Sequence, residues 1–160
     1  MNCHLVMYTE AWLPGPRSTQ FYARTYNSTK GDAKAVILFV HGFAEHVGRY
    51  THFHPLLAEH GIAVFAFDQR GFGKTAQDEG HKSKDSAYGK TSWNDQMTDI
   101  EWALRHAKEE FPGVPVFLMG HSMVGLKFKY EQVEQMWMYR GEVRYWASRH
   151  RVRDLPAMQL

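Results

Sequence analysis

Only one cysteine, Cys3, occurs in the 160 residues. A single thiol allows no disulfide within the chain, so the sequence suits a reducing compartment or is indifferent to one. Cys3 also stands near the terminus with no base organised beside it, which argues against a cysteine nucleophile. Long apolar runs are missing as well. None approaches the ~18 residues of a membrane helix, and residues 1–30 hold no signal-like apolar core. The expected location is cytoplasmic, or peripheral to a membrane or lipid droplet. No internal repeat or low-complexity tract occurs.

Metal and nucleotide motifs are lacking too. Ten histidines are scattered along the chain, five of them between His41 and His60. No H-E-x-x-H is present, and His52 and His54 beside Pro55 make a poor zinc pair. Gly71-Phe72-Gly73-Lys74-Thr75 ends like a phosphate loop, but that motif needs glycine at 68, where Asp68 stands.

What is present describes a globular protein. Hydrophobic residues make up 44% and charged residues 22%, enough apolar material for one domain with a real core. The net charge of +2 is unevenly placed. Residues 1–125 carry 12 basic and 13 acidic side chains, whereas residues 126–160 carry seven basic and four acidic ones. A basic stretch interleaved with Trp137, Tyr139, Tyr145 and Trp146 has the composition of a nucleic-acid or anionic-membrane binder. The plainer reading, a basic tail without a dedicated partner, is preferred, and no nucleic acid is expected.

Hydrophobic periodicity then orders the first three quarters of the chain. Residues 19–26 are β-prone and are expected to pair with an extended stretch near Tyr8–Trp12 across the Leu13-Pro14-Gly15-Pro16 turn. Ala35–Val40, Ile62–Phe67 and Val114–Met119 are continuous apolar runs, as in strands buried on both faces. Between them the pattern predicts a helix over roughly Thr51–His60, stopped by Gly61, and a polar loop from Asp68 to Lys90. A second helix starts at the N-cap Ser92 and lines up Met97, Ile100, Leu104, Ala107 and Phe111 before Pro112-Gly113 stops it. Strands alternating with helices predict an α/β fold with a parallel sheet. After residue 125 the pattern degrades: a helix to about Arg140 is expected, and no further buried strand.

Sites in such sheets form at the carboxyl ends of strands. Three of those ends carry chemistry. Gly120-His121-Ser122-Met123-Val124-Gly125 follows the third apolar run and has the shape of a nucleophile elbow, G-x-S-x-G, with Val124 in place of its second glycine. His41-Gly42-Phe43 follows the first run, and Asp68–Gly73 the second. For acyl transfer, Ser122 would be the nucleophile, with the N–H groups of Met123 and Phe43 converging on the developing oxyanion.

These motifs resemble those of the monoacylglycerol lipase family of serine hydrolases. His41-Gly42-Phe43-Ala44-Glu45-His46 with Arg49-Tyr50 is similar to the H-G-x-x-E-H-x-x-R-Y signature of that family. Phe65–Gly73 resembles its loop after the fourth strand, and Pro115–Met123 its elbow. The likeness covers roughly residues 8–123. It implies the N-terminal part of an α/β-hydrolase with about five strands and flanking helices. It also implies hydrolysis of acylglycerol or lysophospholipid esters without a metal or other cofactor. Ser122 is then the nucleophile, Phe43 and Met123 supply the oxyanion hole, and His41, Gly42, Glu45, His46 and Arg49 support the loop. His41 is expected to shape the loop and His121 to pack beside the elbow; neither is expected to act as a base.

The departures define two segments, a partial hydrolase domain over 1–123 and a divergent basic tail over 124–160. Beyond Ser122 the chain runs for 38 residues, in which no triad acid and no triad histidine of the family is recognisable. His150 and Asp154 occur in the reverse of the family order. The expectation is a truncated, inactive or severely impaired serine hydrolase, with peripheral membrane contact and no integral membrane segment. The alternatives are a non-catalytic lipid- or partner-binding fragment, or a mis-spliced or frameshifted product. The fifth strand is expected to leave an apolar edge unpaired unless the tail covers it.

Overall fold

The computed structural model describes residues 8–122 and the backbone of residues 143–147. In chain order the elements are β1 (Thr9–Pro14), β2 (Gln20–Tyr26), β3 (Ala35–Val40), α1 (His54–Glu59), β4 (Ile62–Phe67), α2 (Gly73–Gln77), α3 (Trp93–Glu110), β5 (Val116–Gly120) and β6 (Val143–Ala147). They build one sheet in the order β1-β2-β4-β3-β5-β6. β3 pairs in parallel with β4 and β5, while β2 joins β1 and β4 in antiparallel fashion. The two central strands have the limits read from their apolar runs.

Both faces of the sheet are covered, which is why those runs do not alternate with polar residues. Val36, Leu38 and Val40 point to one face and pack with Phe65, Phe67 and the α3 residues Met97, Ile100, Ala103 and Ala107. Ile37 and Phe39 point to the other, joining Tyr22, Tyr26, Val64 and Ala58 of α1. The α3 stripe is displaced slightly from its expected position. Ala103 is fully buried, Leu104 and Phe111 only flank the core, and Trp102 stacks on Phe21 with ring centroids 4.7 Å apart. Ser92 caps α3 as its sequence predicts, its hydroxyl accepting the Asp95 N–H at 3.1 Å.

Three expectations need correction. The first helix begins at His54 rather than Thr51, because a 3₁₀ turn over Val47–Tyr50 and a further turn precede it and Pro55 occupies its first turn. The segment Asp68–Lys90 is not wholly loop: α2 lies within it. Five residues are too few to hold a helix by propensity. Here Asp68 Oδ2 accepts the Lys74 N–H at 2.7 Å, and the Thr75 hydroxyl donates to the Asp68 carbonyl at 2.7 Å. Finally, the tail supplies a further strand, where none was expected, and so covers the outer edge of β5. β6 runs parallel to it, in register from Val116↔Val143 to Gly120↔Ala147. Val143, Tyr145 and Trp146 are strand-favouring residue types, but the backbone partners that make them a strand come only from the edge itself. The helix expected up to Arg140 lies outside the described residues.

Candidate active site

β3 and β5 are neighbours in the sheet, so their carboxyl ends deliver two loops side by side. The ladder continues one residue past β5, where the His121 N–H donates to the Val40 carbonyl at 3.1 Å. Ser122 follows with φ +56° and is solvent-exposed. A left-handed serine is strained, costing about 1–2 kcal/mol relative to an unstrained residue. Met123, the expected second oxyanion donor, lies outside the described residues.

The loop after β3 is held from below and from the side. His41 is fully buried. The Gln69 backbone N–H donates to His41 Nε2 at 2.9 Å, so the ring proton sits on Nδ1, 2.8 Å from the Gly42 carbonyl. The Gln69 side-chain amide donates to the His41 carbonyl at 2.6 Å. These bonds tie the loop after β3 to the loop after β4, and they commit both imidazole nitrogens.

From the side, Glu45 collects the loop. Its Oε2 accepts the Gly42 N–H at 2.8 Å and the Tyr50 hydroxyl at 2.5 Å, and lies 3.1 Å from His121 Nδ1. Arg49 approaches the other oxygen at 3.6 Å from an exposed position, a pair of little energetic weight. Partial burial raises the Glu45 pKa, but the bonds from Tyr50, Gly42 and His121 outweigh it and leave the carboxyl below its ordinary value. Burial and the bond to Glu45 push the Tyr50 phenol up. Gly42 leaves room for this arrangement: a Cβ there would lie 2.9 Å from Glu45 Oε2 and 3.0 Å from His121 Nδ1, so the carboxylate and imidazole would have to shift. Ala44 takes a left-handed φ of +57°, which lets the Glu45 side chain fold back over Gly42.

His46 starts the 3₁₀ turn, its carbonyl accepting the Arg49 N–H at 3.1 Å. Phe43 is 62% exposed and sets its ring edge-on against Phe72, centroids 5.2 Å apart. Thus His41, Gly42, Phe43, Glu45, His46, Arg49 and Ser122 all gather at the carboxyl ends of β3 and β5.

Sequence reasoning missed three supports. Tyr50 was quoted in the motif without a role. Asp68 is buried, and its Oδ1 accepts the Val47 N–H at 2.7 Å while Oδ2 binds Lys74, which pins the two loops together. Burial raises its pKa against those two bonds. A Cβ on Gly73, which has φ +52°, would meet Asp68 Oδ2 at 2.2 Å, and that oxygen already takes the Lys74 N–H. Gln69 is the third. The available signal was a polar Asp-Gln pair directly after a wholly apolar strand. Among the described residues, no group of three or more His, Cys, Asp or Glu is arranged to hold a metal ion. No helix among them is long and apolar enough to cross a membrane.

The chain is similar to known proteins. Residues 31–128 match the family model of the serine aminopeptidases S33 (Hydrolase_4). The monoglyceride lipase homolog of monkeypox virus is 37% identical over 90 residues, 56% of this chain and 30% of that protein. Human monoglyceride lipase is 34% identical over 106 residues, 66% of this chain and 32% of that enzyme. Among solved structures, a thermostable carboxyl esterase from Bacillus coagulans, in complex with glycerol, superimposes with a TM-score of 0.61. It is 28% identical and covers 74% of this chain and 37% of its own. The chain spans between 26% and 32% of the length of such curated relatives as the fission-yeast and human proteins.

Proposed function

We infer, from the premise that this chain belongs to the α/β-hydrolases of the serine aminopeptidase S33 family, that it carries a serine-hydrolase site for carboxylic esters of the acylglycerol or lysophospholipid kind. Ester rather than peptide chemistry is favoured because relatives at 34% and 37% identity are named a monoglyceride lipase and a monoglyceride lipase homolog. One observation carries the reading. Ser122 stands exposed in a left-handed turn beyond β5, and the Gly42–Glu45 loop is fastened beside it through His121.

In this reading the Ser122 hydroxyl attacks the ester carbonyl and forms a tetrahedral intermediate. The N–H groups of Phe43 and Met123 receive its negative oxygen. Collapse expels the alcohol and leaves an acyl-serine, which water then cleaves. An oxyanion donor of this kind is worth about 3–4 kcal/mol in the transition state.

The proton on the Ser122 hydroxyl needs a base. Among the described residues no imidazole or carboxylate is hydrogen-bonded to it; both His41 nitrogens are committed, and His121 meets Glu45 through Nδ1. His150 and Asp154 lie outside the described residues. Loss of a triad member removes ~10⁴–10⁶ of the rate, so we propose that the chain alone captures acyl groups slowly and turns over little. Peripheral contact with a lipid surface is part of the same proposal, because the substrate class resides there.

The test is covalent capture by a fluorophosphonate together with monoacylglycerol hydrolysis, on the chain and on Ser122→Ala. Slow labelling confined to Ser122, with turnover near background, is the expected result. Absence of any labelling at Ser122 refutes the nucleophile. Rapid turnover that Ser122→Ala abolishes refutes the impairment.

A further inference from the structure

The residue assigned to donate one oxyanion hydrogen bond is a phenylalanine, and its side chain is placed by that assignment. The N and Cβ of one residue are about 2.5 Å apart. A carbonyl oxygen held at ordinary hydrogen-bond distance from the Phe43 N–H therefore keeps the Phe43 ring within about 9 Å of the reacting carbon. A group that extends from that carbon over the loop passes this ring.

The ring does not stand alone. Phe72, 1% exposed, is its support, meeting Phe43 edge-on at 5.2 Å and Tyr88 edge-on at 5.9 Å. Phe72 is itself braced by His41 at 6.2 Å. Tyr88 belongs to a segment docked on the loop after β4, where the Gly89 N–H donates to the Gly71 carbonyl at 2.8 Å. Phe43 and Tyr88 are 62% and 59% exposed, so the two rings over Phe72 form an open aromatic ridge. Sheet order sets its direction. β5, β3 and β4 are consecutive in the sheet, so Ser122, Phe43 and Phe72 follow one another along its carboxyl edge.

We propose that this ridge is where the acyl chain of the ester lies, and that Phe43 is a specificity-determining residue for its length. The proposal rests on the assignment of Ser122 and Phe43 made above. An alkyl chain laid on the ridge loses water from both surfaces, which favours longer chains. A glycerol headgroup there would surrender its hydration and find one phenolic hydroxyl in return. The alcohol portion of the ester therefore points away from Tyr88.

Binding of non-hydrolysable 1-O-butylglycerol and 1-O-octylglycerol, followed by NMR shifts of the whole chain, tests this without requiring turnover. The octyl ether binds more tightly to the wild type. Phe43→Ala keeps the backbone N–H and, being exposed, keeps the fold; it lowers the octyl-to-butyl preference about tenfold. Tyr88→Ala lowers it less, and Leu56→Ala, an exposed apolar side chain on α1, leaves it unchanged. The ridge is overturned if the octyl ether binds no better than the butyl ether. It is also overturned if Phe43→Ala keeps the full preference, or if Leu56→Ala loses as much. Phosphonate capture at Ser122 is read separately: failure to label with a Phe43-dependent preference intact removes the nucleophile and leaves the ridge.

Discussion

Glu45 and His121 are 76 residues apart in the chain and meet with carboxylate Oε2 3.1 Å from imidazole Nδ1. One belongs to the loop after β3 and the other directly precedes Ser122. The same carboxylate oxygen binds the Gly42 N–H, so the Ser122 turn and the loop after β3 are set relative to each other through a single acceptor.

Removing the charge on that acceptor has a pH signature. The native Glu45 pKa is depressed below its ordinary value of 4.5. Its contribution is therefore fully present above that value and is lost as pH falls through the native pKa. Glu45→Gln is expected to cost about 1–2 kcal/mol at neutral pH and to converge with the wild type in acid. Urea denaturation at the two pH values reads the difference. A gap that persists unchanged in acid would show that the carboxylate charge is not what holds the loop.

His54 supplies a second pH dependence, from the layer directly beneath Tyr50. It is fully buried, stacked on Tyr50 at 5.6 Å, and neither ring nitrogen has a hydrogen-bond partner among the described residues. Burial, aided by the Arg24 charge, lowers its pKa from 6.5 to about 3. The unfolded chain thus takes up a proton below 6.5 that the native state refuses, and stability falls as pH drops from there toward 3. The slope from this one group is about 1.4 kcal/mol per pH unit. His54→Phe keeps the aromatic packing and removes the term, so it should gain about 2 kcal/mol on the wild type at a pH of about 5 relative to neutral. Parallel pH–stability profiles of the two proteins would refute this.

The turn at Ser122 predicts a trade of stability against chemistry. At φ +56° glycine carries no Cβ penalty whereas alanine keeps it. Ser122→Gly should be more stable than Ser122→Ala by about 0.5–1 kcal/mol, after the entropy of the freer unfolded glycine is set against the relief. Both should be equally dead to a phosphonate. Thermal or urea denaturation of the pair decides it, and an alanine variant as stable as the glycine one means the turn is unstrained.

Legibility in the sequence followed the range of the interactions involved. The strands Ala35–Val40 and Ile62–Phe67 were readable to the residue, because burial on both faces writes itself as an unbroken apolar run. The Ser92 cap was readable because its partner is three residues away. α2 was not, since what holds it is the Asp68 carboxylate and the hydroxyl of Thr75, which also accepts the Tyr22 N–H at 3.0 Å from a distant strand. β6 was hidden for a related reason: a short segment in an aperiodic region becomes a strand only where an edge offers it partners.

The chain by itself determined an α/β-hydrolase: its motifs follow apolar runs in an order that this fold places at one edge of a sheet, and chain order is all such a pattern needs. The tertiary structure alone decided how those motifs touch. Glu45 reaches His121, Gln69 locks the His41 tautomer, and Phe72 supports Phe43, each joining loops from different strands. Contacts of that kind depend on which strands lie side by side, and β3 takes its place between β4 and β5 only when the sheet assembles.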